Sequence, residues 1–259
     1  MFPVLFSYGP FRIFTYGFFL ALAFICSMYM AGQEAKRRGG RAEQIYDLSF
    51  YGIIAALIGS RLLHVIFEWQ YFLAHPLDVF MVWKGGLAFQ GGLILGLLTV
   101  IVYIYRHHMA LWTTLDIMAV AMPLGQFLGR LGCFMAGCCY GQECHQPWAV
   151  TFNNPETLAQ PVLGVPVHPT QLYESFLALG VFLFLLWFRY RQKFPGQIFG
   201  IYLMLAGAVR FLVEFWRGDE RGPVLLLGMP STQVIALGLA LSAALFLLWR
   251  SRAAKVPAV

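Results

Sequence analysis

Seven long apolar segments constrain this 259-residue chain more than any other feature of its sequence. Each is about 20 residues long, the length that an α-helix needs to cross the hydrocarbon core of a bilayer. Only 12% of the residues are charged, about half the share usual in soluble domains, so too little polar surface remains to face water. The segments are continuous rather than alternating, which excludes an outer-membrane barrel. The sequence predicts an all-α, polytopic membrane protein.

The predicted spans belong to a single integral membrane domain that covers residues 1–259. Their approximate limits are 14–32, 46–67, 86–105, 113–133, 169–188, 197–216 and 230–249. The one long connection, 134–167, contains four prolines and no Lys or Arg. The N-terminus lacks a positively charged start before its apolar stretch, so we expect no cleaved signal peptide.

The position of Lys and Arg explains the formal net charge of +6. If the N-terminus is outside, the inner connections hold 11 Lys and Arg residues, the last of them Lys255. The outer segments then hold four, which are Arg12, Lys84, Arg217 and Arg221. The positive-inside rule therefore predicts an outer N-terminus and a cytoplasmic C-terminus. The basic surplus reflects topology, so we expect the lipid bilayer and no nucleic acid as partner.

Polar residues within the spans fall near their outer ends, where a buried charge must pair, line a cavity or do chemistry. They are Tyr16, Arg61, Gln90, Arg130, Gln171, Tyr173, Glu174, Arg210 and Glu214. Three arginines against two glutamates leave one positive charge over, and guanidinium groups match phosphate oxygens bidentately. The group predicts a site for an anionic phospholipid. The alternative is that its ion pairs only hold helices together.

Small residues accompany these polar groups. The segment GRLGCFMAGCCYG, residues 129–141, allows a helix or a ligand to approach its backbone closely. The segment GGLAFQGGLILG, residues 85–96, indicates an unwound or tightly packed helix start. Further along, Arg210, Glu214 and Arg217 are spaced i, i+4 and i+7, which places them on one helical face. No GxxxxGK signature supports a nucleotide site.

Four of the five cysteines are Cys133, Cys138, Cys139 and Cys144. Their spacing matches no zinc pattern, so we expect no metal and no cofactor. Small packing residues are the favoured interpretation, and a disulfide in the outer compartment stays open. At the start of the fifth span, Thr170 is expected to cap the helix. Capping does not explain the polar residues that follow it.

Together these motifs resemble the prolipoprotein diacylglyceryl transferase family. The resemblance rests on GRLGCFMAGCCYG, on HPTQLYE at 168–174, on GAVRFLVEFWRGDE at 207–220 and on GG-x4-GGL at 85–93. The Tyr16–Gly17 pair and Arg61 also fit. The resemblance implies a seven-helix enzyme of the bacterial cytoplasmic membrane, with its active site toward the outer leaflet. Its implied substrates are phosphatidylglycerol and the lipobox cysteine in a prolipoprotein signal peptide.

The implied reaction, the first step of lipoprotein maturation, forms a thioether on that cysteine and releases glycerol 1-phosphate. We expect catalytic roles for Tyr16, Gln90, Arg210 and Glu214. We expect substrate binding by Arg61, Arg130, Gln171, Tyr173 and Glu174, with Arg130 on the lipid phosphate. A non-catalytic lipid-binding protein and a transporter are the alternatives. Against a transporter, no polar path continues through the inner half of the spans.

The chain departs from the family pattern at three positions. Gln90 stands where the best-known members have histidine, and glutamine cannot act as a general base. A free thiol with a pKa of about 8.5 is already a few per cent ionised at neutral pH, so a strong base is not obligatory. Cys133 and Cys138 replace asparagine and glutamate, so the hydrogen bonding around Arg130 must differ from that of common members.

Overall fold

The computed structural model describes residues 2–8, 11–81, 85–219, 224–226 and 228–253. Lys84, Arg221 and Lys255, which entered the orientation argument, lie outside the described residues. Seven of the described helices are long and apolar enough to cross a membrane. This number confirms the predicted fold class.

The helices follow the predicted order. They are α1 (Thr15–Arg37), α2 (Ala42–Phe67), α3 (Trp69–Ala74), α4 (Phe89–Arg106), α5 (Leu111–Ala136), α6 (Thr170–Phe188), α7 (Gln197–Glu214) and α8 (Ser231–Ala253). All except the six-residue α3 are candidate spans. Most predicted limits agree with these bounds to within a few residues.

The main difference in length concerns α1, which ends at Arg37 rather than near residue 32. The fully buried Glu34 accepts hydrogen bonds from Nε of Arg37 and from Nε of Arg38, both at 2.8 Å. These pairs offset part of the positive charge at the end of α1 and support helix beyond its apolar part. Hydropathy marks only that apolar part.

Short strands precede α1 and occur in two of the connections. Among the described residues they form three antiparallel pairs, β1 (Val4–Tyr8) with β2 (Phe11–Phe14), β3 (Val150–Thr151) with β4 (Pro166–Val167), and β5 (Val224–Leu226) with β6 (Met229–Pro230). Strands of two to five residues are too short to show a clear alternating pattern in the sequence. They organise connections and leave the architecture helical.

The chain forms two compact units, residues 31–114 and the combination of 1–30 with 115–259. The single domain expected from the sequence stays a prediction. In the first unit, α2 packs directly on α4 through Gly59 and Gly91. A Cβ added at Gly91 would lie 2.2 Å from the carbonyl oxygen of Gly59, so only glycine permits this contact.

The start of α4 is both unwound and tightly packed, as its glycine pairs indicated. Gly85 and Gly86 have φ angles of +87° and +74°, and regular helix begins only at Phe89. Left-handed backbone of this kind favours glycine because a Cβ is strained there. The second pair, Gly91 and Gly92, is buried.

The other unit has a core on α5, α6 and α7, where Val120, Leu185 and Ile198 are fully buried. Next to this core, the buried Asp116 accepts hydrogen bonds from the backbone N–H groups of Gly196, at 2.7 Å, and Phe199, at 2.9 Å. Its carboxylate thereby satisfies free donors at the beginning of α7 and complements the positive end of the helix dipole.

Candidate functional site

Three arginines meet three carboxylates in the unit formed by residues 1–30 and 115–259. The members of this arginine–carboxylate cluster are Arg130, Glu174, Arg210, Glu214, Arg217 and Asp219. They come from α5, α6, α7 and the turn that follows α7. Three cations and three anions give a formal charge of zero, in place of the expected surplus.

Glu174, in the second turn of α6, lies at the centre of the cluster. Its Oε1 accepts from Nη1 of Arg210 at 2.6 Å and from Nη1 of Arg217 at 3.0 Å. Its Oε2 pairs with Nε of Arg130. The side chain of Glu174 is only 7% exposed. One buried anion therefore organises guanidinium groups from three separate segments, and these hydrogen bonds are charge-assisted.

Arg210 and Glu214 pair along α7, as their i, i+4 spacing predicts. Nη2 of Arg210 lies 2.6 Å from Oε2 of Glu214. Thr232, near the start of α8, donates to Oε1 of the same glutamate. Arg210 thus lies between two carboxylates. It donates a hydrogen bond to Glu174 and forms an ion pair with Glu214.

Two members of the cluster, Arg217 and Asp219, were not among the site residues predicted from the sequence, and Arg217 was counted there only as a cation of an outer connection. Its side chain is 2% exposed and forms a bidentate pair with Asp219, with Nε–Oδ1 and Nη2–Oδ2 distances of 3.1 Å. Burial raises the pKa of Asp219, an effect that the charge of Arg217 opposes. The i+7 spacing from Arg210 was the available signal.

Backbone hydrogen bonds join the three segments that carry the cluster. The N–H of Gly141 donates to the carbonyl of His168 at 3.0 Å, just before α6. The N–H of Gln142 donates to the carbonyl of Trp216 at 2.9 Å, just after α7. A Cβ at Gly141 would lie 2.5 Å from the Cβ of His168, which explains the need for a small residue in this motif.

The chain reverses direction directly after α5. The N–H groups of Gly137 and Cys138 both donate to the carbonyl of Cys133, at 2.9 and 3.2 Å. Gly137 has a φ angle of +79°, the left-handed conformation common just beyond helix ends. Cys139 has a φ angle of +65°, which is uncommon outside glycine.

Residues of the HPTQLYE motif hold this reversal in place. Thr170 is the first residue of α6, and its hydroxyl donates to the carbonyl of Cys139 at 2.8 Å. The expected helix cap at Thr170 is therefore wrong, because the hydroxyl serves a neighbouring loop instead. The amide of Gln171 donates to the carbonyl of Cys138 at 2.7 Å. Its Oε1 is buried and makes no hydrogen bond with any described residue.

Three thiols meet at the reversal. The sulfur atoms of Cys133, Cys138 and Cys139 all lie within 4.8 Å of one another, and the cysteines are free. Hydrogen bonds from the thiols of Cys133 and Cys138 lower the pKa of Cys139, and the charges of Arg217 and Arg130 act in the same direction. The same thiol network raises the pKa of Cys138. The interpretation of these cysteines as small packing residues is therefore incomplete, because their thiols interact with one another.

Two further predicted residues lie in this unit. Tyr16, in the first turn of α1, is 41% exposed, and its ring lies beside the position that a Cβ of Gly132 would occupy. Tyr173 is half-buried, with its hydroxyl 3.1 Å from Nδ1 of His168 and its ring edge-on to Trp216. Neither belongs to the arginine–carboxylate cluster.

Arg61 and Gln90 belong to the other unit, residues 31–114. Gln90 is exposed in the first turn of α4. Arg61 is buried, and all five of its N–H groups are directed at backbone carbonyls. These are the carbonyls of Asp78, Val79, Met81, Gly85 and Gly86, at 2.5 to 3.4 Å. This geometry favours a positioning role for Arg61, and its contact with substrate stays a prediction.

A cavity of about 90 Å³ opens beside the cluster. Its walls combine polar and apolar side chains and are formed by Gln126, Arg130, Glu174, Ala178, Val181, Ala206, Val209 and Arg210. This volume holds a few water molecules, so most of a phospholipid would lie outside it. Arg130 pairs with Glu174 through Nε and also forms a side-chain hydrogen bond with Cys139.

Comparison with known proteins relates this arrangement to a family. A family model described as prolipoprotein diacylglyceryl transferase matches residues 3–249. Similar proteins carry the name phosphatidylglycerol–prolipoprotein diacylglyceryl transferase. One from Clostridium tetani is 32% identical over 235 residues, which cover 91% of this chain and 92% of the relative. One from Vibrio cholerae (El Tor Inaba N16961) is 36% identical over 253 residues, with 95% and 90% covered.

Proposed function

This chain belongs to the prolipoprotein diacylglyceryl transferase family, and on that premise we propose that it transfers the diacylglyceryl group of phosphatidylglycerol to the lipobox cysteine of prolipoprotein signal peptides. One observation supports this group of residues as the active site: Arg130 and Arg210 both pair with Glu174 beside a cavity. The products are a thioether on the lipobox cysteine and glycerol 1-phosphate.

Arg130 binds the phosphodiester of phosphatidylglycerol. Its Nε pairs with Glu174, and the guanidinium group also forms a hydrogen bond with Cys139. These two contacts orient the planar group, whose remaining N–H donors would face the phosphate. Arg130 lines the cavity and its side chain is 28% exposed, so a lipid headgroup can reach it. A guanidinium group gives up its hydration more easily than an ammonium and pairs bidentately with phosphate oxygens.

Arg210 stabilises the charge that develops on the leaving phosphate ester. It lies between the carboxylates of Glu174 and Glu214, at 2.6 Å from each, so its orientation is set before substrate arrives. Preorganised donors of this kind lower the barrier because they need not reorient during the reaction. Glu214 orients Arg210 or accepts a proton.

The lipobox thiolate attacks the sn-3 carbon of the diacylated glycerol unit of phosphatidylglycerol. A sulfur–carbon bond forms, the carbon–oxygen bond to the phosphate breaks, and the electron pair leaves with glycerol 1-phosphate. Gln90 and Tyr16 donate hydrogen bonds to the reacting groups, and Gln90 accepts no proton because a neutral amide is not a general base. Gln171 and Tyr173 position the segments that surround the substrates.

The site faces the outer leaflet of the bacterial cytoplasmic membrane, and the N-terminus lies outside. Glu174 lies at the beginning of α6, whereas Arg189 and Arg191 follow the end of that helix. Thr232, which contacts Glu214, lies at the beginning of α8, and the basic residues of α8 lie in its last turn. The cluster therefore lies at the ends of α6 and α8 that are remote from their positive charges, which the positive-inside rule places in the cytoplasm.

The test uses the purified protein in detergent with phosphatidylglycerol and a lipobox peptide. We expect the peptide cysteine to gain the mass of the diacylglyceryl group and glycerol phosphate to be released. Arg130→Ala should abolish both signals. Arg252→Ala, which removes an exposed charge from the last turn of α8, should keep both.

Full transfer by Arg130→Ala would contradict the phosphate assignment. Wild-type protein that binds phosphatidylglycerol and releases neither product would contradict the enzymatic function and support a non-catalytic lipid-binding protein. No observation favours that alternative or a transporter.

A further inference from the structure

The three thiols of Cys133, Cys138 and Cys139 have the spacing of a metal-ligand set. Their sulfur atoms lie within 4.8 Å of one another. Thiolate sulfurs bind zinc at about 2.3 Å, so three of them around one ion lie about 4 Å apart. Small side-chain adjustments close the difference between these two separations.

The backbone holds the three residues together without a metal. The left-handed residues Gly137 and Cys139 reverse the chain and return it to the last turn of α5. The side chains of Thr170 and Gln171 then hold the carbonyls of Cys139 and Cys138. The backbone of the ligand residues is thus held by the end of α5 and by the hydrogen bonds from Thr170 and Gln171. A preorganised site loses less conformational entropy when it binds.

The surrounding charges favour a cluster of thiolates. The positive charges of Arg217 and Arg130 both act on the sulfur of Cys139. Three thiolates around a divalent ion carry one net negative charge, and around a monovalent ion they carry two. Arg130 and Arg217 lie near the thiols but are also paired with Glu174 and Asp219, so they offset only part of that excess in this half-buried place.

We propose that Cys133, Cys138 and Cys139 bind one soft, thiophilic metal ion of the class that includes Cu(I), Zn(II) and Cd(II). Each thiol releases its proton to solvent as its sulfur–metal bond forms, and no electron is transferred. Zn(II) would take its fourth ligand from solvent, whereas Cu(I) is satisfied by three sulfurs. The proposal does not rest on the transferase activity, because it concerns binding alone.

The linear spacing alone did not identify this site. Cys133 and Cys138 are separated by four residues, the upper limit within a zinc motif. The third thiol, however, belongs to the adjacent Cys139 and not to a second, distant ligand pair, and the reversal at Gly137 brings it to Cys133. This interpretation revises the expectation that the chain holds no metal.

The test uses reduced, full-length protein in detergent under anaerobic conditions, titrated with Cd(II) alone. We expect one ion retained per chain after gel filtration and an ultraviolet sulfur-to-cadmium charge-transfer band. Cys139→Ser and Cys133→Ser should each weaken binding at least about tenfold. The matched control is Cys26→Ser, a free and half-buried cysteine of α1, which should bind like the wild type.

A measurement on the wild type keeps the test independent of variant folding. X-ray absorption at the cadmium edge should count three sulfur ligands. Binding that is unchanged in Cys139→Ser, a count of fewer than two sulfurs, or no retention of Cd(II) by the reduced wild type would each overturn the proposal. A disulfide between Cys133 and Cys138 that persists in the reduced preparation would also overturn it.

Discussion

Nη1 of Arg217 donates to Oε1 of Glu174 across 3.0 Å, and both side chains are almost fully buried. The pair joins the turn after α7 to the second turn of α6. Buried ion pairs often add little net stability, yet removal of one partner leaves an uncompensated charge that is costly. Because Glu174 is shared by Arg130, Arg210 and Arg217, it is the residue on which the geometry of the site depends most.

Glu174→Gln should therefore destabilise the protein and reduce its activity. The amide is isosteric but cannot neutralise three guanidinium groups, so we expect a loss of about 3–5 kcal/mol in the free energy of unfolding and a roughly hundredfold lower kcat. Glu156→Gln is the control, since Glu156 is exposed and lies 3.5 Å from Arg12. Exposed pairs contribute at most about 1 kcal/mol. Equal unfolding of the two variants would contradict the central role of Glu174.

Arg130→Lys should show whether a positive charge alone, without the planar guanidinium group, is enough to bind the lipid phosphate. Lysine keeps the positive charge but lacks the planar guanidinium group, which pairs with Glu174 and is proposed to pair with the phosphate as well. We expect the KM for phosphatidylglycerol to rise about tenfold, with a smaller loss of activity than in Arg130→Ala. Steady-state kinetics with varied lipid measure both constants. An unchanged KM would show that Arg130 does not contact the phosphate.

The presence of Gln90 in place of a histidine should change how the transfer rate depends on pH. Without a histidine base at this position, the rate should follow ionisation of the lipobox thiol and rise with pH up to about 8.5. Gln90→His introduces a group with a pKa near 6.5 and should bring the plateau to lower pH. The control Gln146→His adds a histidine in an exposed connection. A plateau near pH 6.5 in the wild type would reveal another base.

Gly91→Ala should weaken the packing of α2 on α4. The added methyl would lie 2.2 Å from the carbonyl oxygen of Gly59, so the helices must separate, at a cost of about 1–3 kcal/mol. Gly180→Ala in α6 is the matched control, because a Cβ there meets nothing within 4 Å among the described residues. Thermal unfolding in detergent should show a lower Tm for Gly91→Ala alone. Equal Tm values would contradict the close helix contact.

The proposed orientation predicts opposite results for two reporter fusions. Alkaline phosphatase should be active when fused after Gln160, in the long connection between α5 and α6, and inactive when fused after Val259. A fluorescent protein that folds only in the cytoplasm should give the reverse pattern. Phosphatase activity after Val259 would place the C-terminus outside and contradict the proposed side of the site.

The positions of the helices followed from the sequence, because hydrophobic length is a local property and a bilayer has a fixed thickness. The family was also readable, since its motifs are short and ordered along the chain, and the comparisons confirm it. The helix at Thr170 was located correctly, but the partner of its hydroxyl was wrong, because a side-chain donor can serve its own helix or a loop that is distant in sequence.

The sequence by itself determined the seven spans, their order, and the polar residues within them that are expected to pair with one another inside a bilayer. Only the tertiary structure decided which of them share a carboxylate. Arg217, which follows the end of α7, is a buried partner of Glu174, and Cys133 meets two cysteines beyond a chain reversal. The physical reason is that ion pairing and metal ligation depend on distances of a few ångströms between segments far apart in the chain. Hydropathy and linear spacing carry no such distances.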